Sequence, residues 1–300
     1  ASAGEGSAKF DGSELYVAQN ASPYALFVYA IALLNDENNV LEALPGGQLT
    51  ISKIDKIELK DSEQGTSVEA DIYAINGIDL DPSYIALDNK LNMLAYLSPR
   101  FAVVLGGFAQ EDGNLRKLAA KLNANRFERI AKKVTHKHSK PVRINNVRIF
   151  EPAVLALTEP KSVLINGNQI IAIQDVSDAP SPDEVIIEGK GGTLVPGMFE
   201  MHGHMSDNDA LLNVMAGVTS VRDMGNEIDI LDALIEKIDN NTLIGPRITR
   251  SGFIEGKSEF SAATGELAST EQEAVDLVKM YAKQGNYFQI KIYSSVNGDW

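Results

Sequence analysis

The chain has 300 residues, 44% hydrophobic and 23% charged, with a formal net charge of −14 and no cysteine. That length suggests two or three domains and a sizeable buried core. The negative balance argues against a general nucleic-acid binder, and the lack of cysteine excludes disulfides, thiolate zinc sites and a cysteine nucleophile.

The chain opens on Ala1-Ser2-Ala3-Gly4, which fits the remnant of a signal-peptide cleavage site or, equally, a frayed terminus. Asn20-Ala21-Ser22 matches a glycosylation pattern that is frequent by chance. Tyr24–Leu34 reads as a short buried helix, too short to span a bilayer, so no membrane span is expected. After the Pro45-Gly46-Gly47 breaker, apolar residues alternate at Leu49, Ile51, Ile54, Ile57 and Leu59, then at Val68, Ala70, Ile72 and Ala74. Tyr84–Leu87, Leu91–Leu97 and Phe101–Leu105 continue as short strands broken by turns, the pattern of an antiparallel meander. Gly113 to Ser139 then switches to helical spacing, with Leu115, Leu118, Leu122, Phe127 and Ile130 on one face and His136-Lys137-His138 at its end. Residues 1–140 thus read as a mainly β domain with a helix and no nameable chemistry, its role open between capping a neighbouring domain, oligomerisation and an export-related addition.

Residues 141–195 are dense in short strands, at Val142–Phe150, Ser162–Ile165, Gln169–Ile173 and Val185–Ile187. Asn166-Gly167-Asn168 marks a tight hairpin, because Asn and Gly tolerate the positive φ it needs. From Pro196-Gly197 the rhythm changes again. Strands at Met198–Met205, Val218–Met224, Arg247–Ile254 and Phe288–Ser294 alternate with helices at Asp207–Ala216, Ile228–Asp239 and Thr270–Gln284. Four strands with helices between them imply an α/β fold with a parallel sheet and right-handed crossovers.

His202 and His204 lie two apart at the end of the first of these strands, so both imidazoles point the same way and can hold one divalent metal. His136 and His138 have the same spacing but sit in a lysine-rich helix end, where a solvated face is the simpler reading. Lys291 alternates with Ile290 and Ile292, which places its amine in the interior, costly unless it is deprotonated or paired. Of Arg222 and Asp223, one must face inward; alternation favours Asp223 if it follows Val221, making it a candidate substrate contact, with a structural salt bridge as the alternative.

Leu194-Val195-Pro196-Gly197-Met198-Phe199-Glu200-Met201-His202-Gly203-His204 closely resembles the leading motif of the amidohydrolase superfamily, and Gly217–Gly225 resembles its second-strand motif. The resemblance covers residues 141–300 and is nearest to the prolidase and imidazolonepropionase branch, including exported members with an extra N-terminal domain. It implies that 141–195 is the N-terminal part of a small β-sandwich-like domain and that 196–300 is the first half of a (β/α)8 barrel. It implies one or two divalent ions, zinc foremost, held by His202 and His204, with Lys291 carboxylated as a catalytic bridge between them. The implied reaction is hydrolysis of an amide, peptide or cyclic amide by metal-activated water, on a small-molecule or short-peptide substrate. A non-catalytic barrel scaffold and a metal-dependent ester or phosphoester hydrolase are the alternatives. The family's further histidines and its aspartate base come from later strands, so a continuing or second chain is expected to complete the barrel. The loop Gly252–Glu266, with Ser258, Ser261 and Thr264, overhangs the site and lacks the histidine that related enzymes often carry there. The exported relatives favour an exported or periplasmic location over a cytoplasmic one, and self-association is compatible with the sequence.

Overall fold

The computed structural model describes residues 12, 14–18, 22–99, 101–262 and 264–300. Ala1–Gly4 of the cleavage pattern and Asn20 and Ala21 of the glycosylation pattern lie outside them. Among the described residues no helix is long and apolar enough to cross a membrane. The chain forms two compact units that part between Arg126 and Phe127.

The first unit is built on a seven-stranded sheet in chain order. Strand β1 (Leu15–Tyr16) runs parallel to β2 (Val40–Leu44). The meander then follows through β3 (Gln48–Asp61), β4 (Thr66–Asn76), β5 (Ser83–Leu87), β6 (Met93–Leu97) and β7 (Ala102–Val104). Helix α1 (Pro23–Leu34) is capped by Ser22, whose Oγ accepts from the Ala25 N–H, with proline at the first turn where no donor is needed. It buries Leu26, Tyr29, Ala30 and Leu33 against Leu49, Ile51, Ile75, Ile85 and Leu87. The other face of the sheet offers Leu59, Ala70, Ile72, Tyr84 and Ala86 to Leu115 and Ala119 of helix α2 (Asp112–Val134). Strand β3 serves both layers because its register with β4 slips between Lys53 and Asp55, leaving Ile54 as an extra residue, 39% exposed. The slip reverses the facing of the odd-numbered residues: Leu49 and Ile51 pack toward α1, Ile57 and Leu59 toward α2.

Helix α2 stops at Val134, not at Ser139 as its spacing suggests, so His136 and His138 follow it as exposed, non-helical residues. Its last turns, with Phe127 and Ile130, belong to the core of the second unit, and the division therefore falls inside the helix rather than near residue 140.

The second unit begins with a mixed sheet ordered β11-β10-β8-β12. Its strands are β8 (Val142–Glu151), β10 (Lys161–Asn166), β11 (Gln169–Asp175) and β12 (Val185–Leu194), with the two-residue β9 (Ala156–Leu157) paired to β8. Among the described residues this region forms a single sheet rather than a sandwich of two, and Ile170, Ile171, Ile173, Ile186 and Ile187 stand exposed on it. A buried ion pair fastens it: Arg143 of β8 donates to Glu184 through Nε at 2.6 Å and Nη2 at 3.2 Å. This hydrogen bond holds the Glu184 carboxyl below its ordinary value of 4.5. A carboxylate whose folded pKa is depressed stabilises above its unfolded pKa, and that contribution is lost as pH falls through the folded value. Stability measured by urea denaturation is therefore expected to fall less steeply below about pH 4.5 in Glu184→Gln than in the wild type. Identical acid slopes would remove the pair from the account.

The rest of the unit is a run of parallel strands with helices between them. Strand β13 (Met198–Gly203) is followed by α3 (Asp207–Met215), β14 (Val218–Asp223), α4 (Ile228–Asp239) and β15 (Arg247–Gly256). A three-residue strand β16 (Glu266–Ala268), too short to show a period, then pairs with the end of β15, before α5 (Glu271–Gln284) and β17 (Tyr287–Ile292). The sheet order is β13-β14-β15, with β17 also on β15, and every pairing is parallel. Helices α3 and α5 are capped by Ser206 and Thr270 and open on acidic residues, which suit the positive end of the helix dipole. One side of the sheet is covered: Val221 packs with Leu231 and Leu234 of α4, and Ile254 and Ile290 pack with Tyr281 of α5.

Candidate metal centre

Because Val221, Ile254 and Ile290 face the helices, their neighbours face the other way. Arg222, Ser251, Phe253, Gln289 and Lys291 line that second side. Arg222 Nε donates to the Met201 carbonyl at 2.7 Å and its Nη1 reaches Gln289 Oε1 at 3.4 Å. Gln289 Nε2 in turn donates to Ser251 Oγ at 3.1 Å. Phe253 and Lys291 are direct partners across β15 and β17.

His202 and His204 reach this side through an irregularity in β13. Its register with β14 shifts between Glu200 and Gly203, so Met201 and His202 together stand opposite the single residue Arg222. Bulges of this kind re-aim side chains at strand ends. Gly203, between the two imidazoles, turns toward the helices, where an added Cβ would lie 2.7 Å from Val221 Cγ1. Only glycine fits there. The two rings lie with centroids 5.5 Å apart and their planes tilted by 60°. The His202 backbone N–H donates to Glu200 Oε1 at 2.7 Å.

The His204 ring is oriented from outside the strand. Its Nδ1 lies 2.9 Å from the carbonyl oxygen of Gly225. A carbonyl only accepts, so this contact requires the proton on Nδ1 and leaves the Nε2 lone pair for a cation. That is the chemistry of a metal-ligating imidazole, and the pair fits a divalent ion as two of its ligands. Among the described residues no group of three or more His, Asp or Glu side chains converges to hold a metal.

Lys291 does lie on the same side of the sheet as the histidines. Its Nζ stands 5.2 Å from the centre of the Phe253 ring and 4.8 Å from that of Tyr293. No carboxylate forms an ion pair with it among the described residues.

Asp223 corrects the expectation drawn from alternation. It does follow Val221, but Val221 belongs to the helix-facing core, so Asp223 turns away from the lined side and Arg222 takes the inward place. The Asp223 side chain is fully buried and its carboxylate is spent on local donors. Oδ2 accepts from the Met205 N–H at 2.8 Å and from Asn226 Nδ2 at 3.2 Å, and Oδ1 accepts from the Gly225 N–H at 3.0 Å. It has no room for a substrate. Neither Asp223 nor Arg222 forms an ion pair among the described residues, so the salt-bridge alternative fails as well.

Glu255 is a residue that sequence reasoning missed. Fully buried at the end of β15, it accepts from the backbone of Gly256 and Ser295, each at 2.9 Å, and of Ala262 at 3.3 Å. It thereby ties the loop after β15 to the segment after β17, and Ser258 Oγ adds a bond to Ser295 Oγ at 3.0 Å. A glutamate before a glycine gives no warning of this. Tyr281, behind the sheet, donates its hydroxyl to the Phe253 carbonyl at 3.2 Å, and burial pushes its pKa up to about 12.

No protein-family model matches the chain, and no curated protein sequence matches it. Among solved structures it is similar to a prolidase-like protein from Bifidobacterium longum, at 20% identity and a TM-score of 0.46, over 53% of this chain and 42% of that one. It is similar to bottromycin amidohydrolase at 18% identity and a TM-score of 0.44, over 61% of this chain and 37% of that one. A Xaa-Pro dipeptidase with methionine bound in its active site matches at 20% identity and a TM-score of 0.40, over 51% and 46%. These neighbours are prolidase-like and amidohydrolase proteins. The chain spans less than half the length of each.

Proposed function

We propose that this chain carries the first metal-binding half of an amidohydrolase-type barrel and that its reaction is hydrolysis of a C–N bond in an amide, peptide or cyclic amide. The observation that carries the reading is the His204 Nδ1 contact to the Gly225 carbonyl, within a His-Gly-His run at the end of the first parallel strand. Parallel α/β sheets present ligands at the C-terminal ends of their strands, where His202, His204 and Lys291 fall. A divalent ion held there, zinc foremost, supplies a Lewis acid for the scissile carbonyl and lowers the pKa of a bound water. His204 offers its Nε2 because Gly225 holds Nδ1, and His202 offers the second imidazole.

Lys291 is assigned the role of a carboxylated bridge between two ions. Its Nζ lies over two aromatic rings. Carboxylation is the addition of CO2 to the neutral Lys291 amine with release of one proton, and it would draw the nitrogen's charge away from those rings.

The test is a panel of dipeptides, N-acyl amino acids and cyclic amides, with simple esters and phosphoesters alongside, assayed with and without zinc. Zinc-dependent amine release that disappears in His202→Ala is the expected result. Turnover surviving in His202→Ala would remove the metal mechanism, and ester cleavage without amide cleavage would move the substrate class.

A further inference from the structure

Asp223 and Asn226 stand in a bracket behind Gly225 that the hydrolytic reading does not use. We infer that Asp223 is a positioning residue that sets the tautomer of His204 by holding Gly225 and Asn226 on either side of the accepting carbonyl; its relevance to metal binding rests on the reading above, but the tautomer does not.

The bracket joins two loops, the one from β13 into α3 and the one from β14 into α4. On the first, both backbone groups of Met205 are held: its N–H by Asp223 Oδ2 at 2.8 Å and its carbonyl by Asn226 Nδ2 at 2.8 Å. On the second, the Gly225 N–H is held by Asp223 Oδ1 at 3.0 Å. Gly225 has φ +153, and an added Cβ would meet Phe253 Cδ1 at 3.1 Å and His204 Cε1 at 3.4 Å. The Gly225–Asn226 peptide that carries the accepting oxygen is thus flanked on one side by the Gly225 N–H and on the other by the Asn226 side chain, both bonded to the Asp223 carboxylate. The backbone of the next residue after His204 is fixed by the same carboxylate. Ring and acceptor are referred to one anchor, and their 2.9 Å separation follows from it.

Asp223→Asn puts an amide N–H₂ where one oxygen accepted. Either the Met205 or the Gly225 N–H then faces a donor, and the bracket must open. A released Gly225 carbonyl no longer selects Nδ1–H over Nε2–H on His204.

Long-range ¹⁵N–¹H correlation spectra, recorded at a pH where imidazoles are neutral and assigned with His204→Gln, read this directly. Wild-type His204 is expected to carry its proton on Nδ1 alone. In Asp223→Asn its two nitrogens are expected to move toward averaged shifts, while those of His136, His138 and His202 stay in place. A wild-type His204 protonated on Nε2, or already averaged, overturns the inference without any variant. So does an unchanged tautomer in a folded Asp223→Asn protein. Should that variant not fold, Asn226→Ala, which keeps the carboxylate, is expected to give the same shift in smaller measure, and a locked tautomer there overturns the assignment. Zinc titration adds a separate arm, with affinity expected to fall about 10- to 100-fold in Asp223→Asn. A wild type that binds no zinc but shows the tautomer shift removes the metal reading and leaves the positioning role intact.

Discussion

Replacing His204 with alanine is expected to weaken zinc binding by about three orders of magnitude, ~4 kcal/mol at 1.4 kcal/mol per tenfold. The same substitution at His136 or His138 is expected to change it by less than about twofold, ~0.4 kcal/mol. The two pairs share a spacing and differ in everything else. The His136 and His138 rings stack with centroids 6.4 Å apart in an exposed segment after α2, and among the described residues neither makes a hydrogen bond. The His204 ring is fastened before any ion arrives, so little orientation is left to lose on binding. Competition against a chromophoric chelator measures both sets. A loss at His136 equal to that at His204 would overturn the assignment of the metal site to His202 and His204.

The second large effect is expected in the first unit. Ile72 is fully buried on β4, between strands β3 and β5 and under α2. Its truncation to alanine removes three methyl or methylene groups from a layer with little freedom to collapse, a cost of about 2–5 kcal/mol. Ile54 offers the matched comparison on the neighbouring strand: it is 39% exposed at the register slip, and Ile54→Ala is expected to stay within about 0.5 kcal/mol. Urea denaturation of the two variants decides it. Similar midpoints would mean that the α2 face is not a packed layer.

Much of this architecture is legible in the residue pattern. The meander, the Asn-Gly hairpin and the four long parallel strands all follow from periodicity and turn chemistry, since each element is long enough to repeat its period. Strands β9 and β16 are not legible, because two or three residues repeat nothing. The facing of Asp223 is lost for a different reason. Strand β14 reads Val-Thr-Ser-Val-Arg-Asp, with polar residues on both faces, so alternation says which residues share a face but not which face is which. The helix end at Val134 is overstated in the sequence because Lys132, Lys133 and Lys137 suit a helix C-terminus whether or not the helix continues. The histidine pair is legible as a pair. Its bulge, its glycine spacer and the Gly225 carbonyl that orients it come from residues up to 21 positions away, which no local pattern reports.

The register slip at Ile54 makes the first unit sensitive to length as well as to composition. One residue separates the part of β3 that serves α1 from the part that serves α2. Deleting Ile54 would leave every other side chain unchanged, yet the strand could then satisfy only one of the two layers. Either Leu49 and Ile51 or Ile57 and Leu59 would have to turn outward. A substitution at this position is cheap, whereas an insertion of one residue or its removal acts as a frameshift in three dimensions.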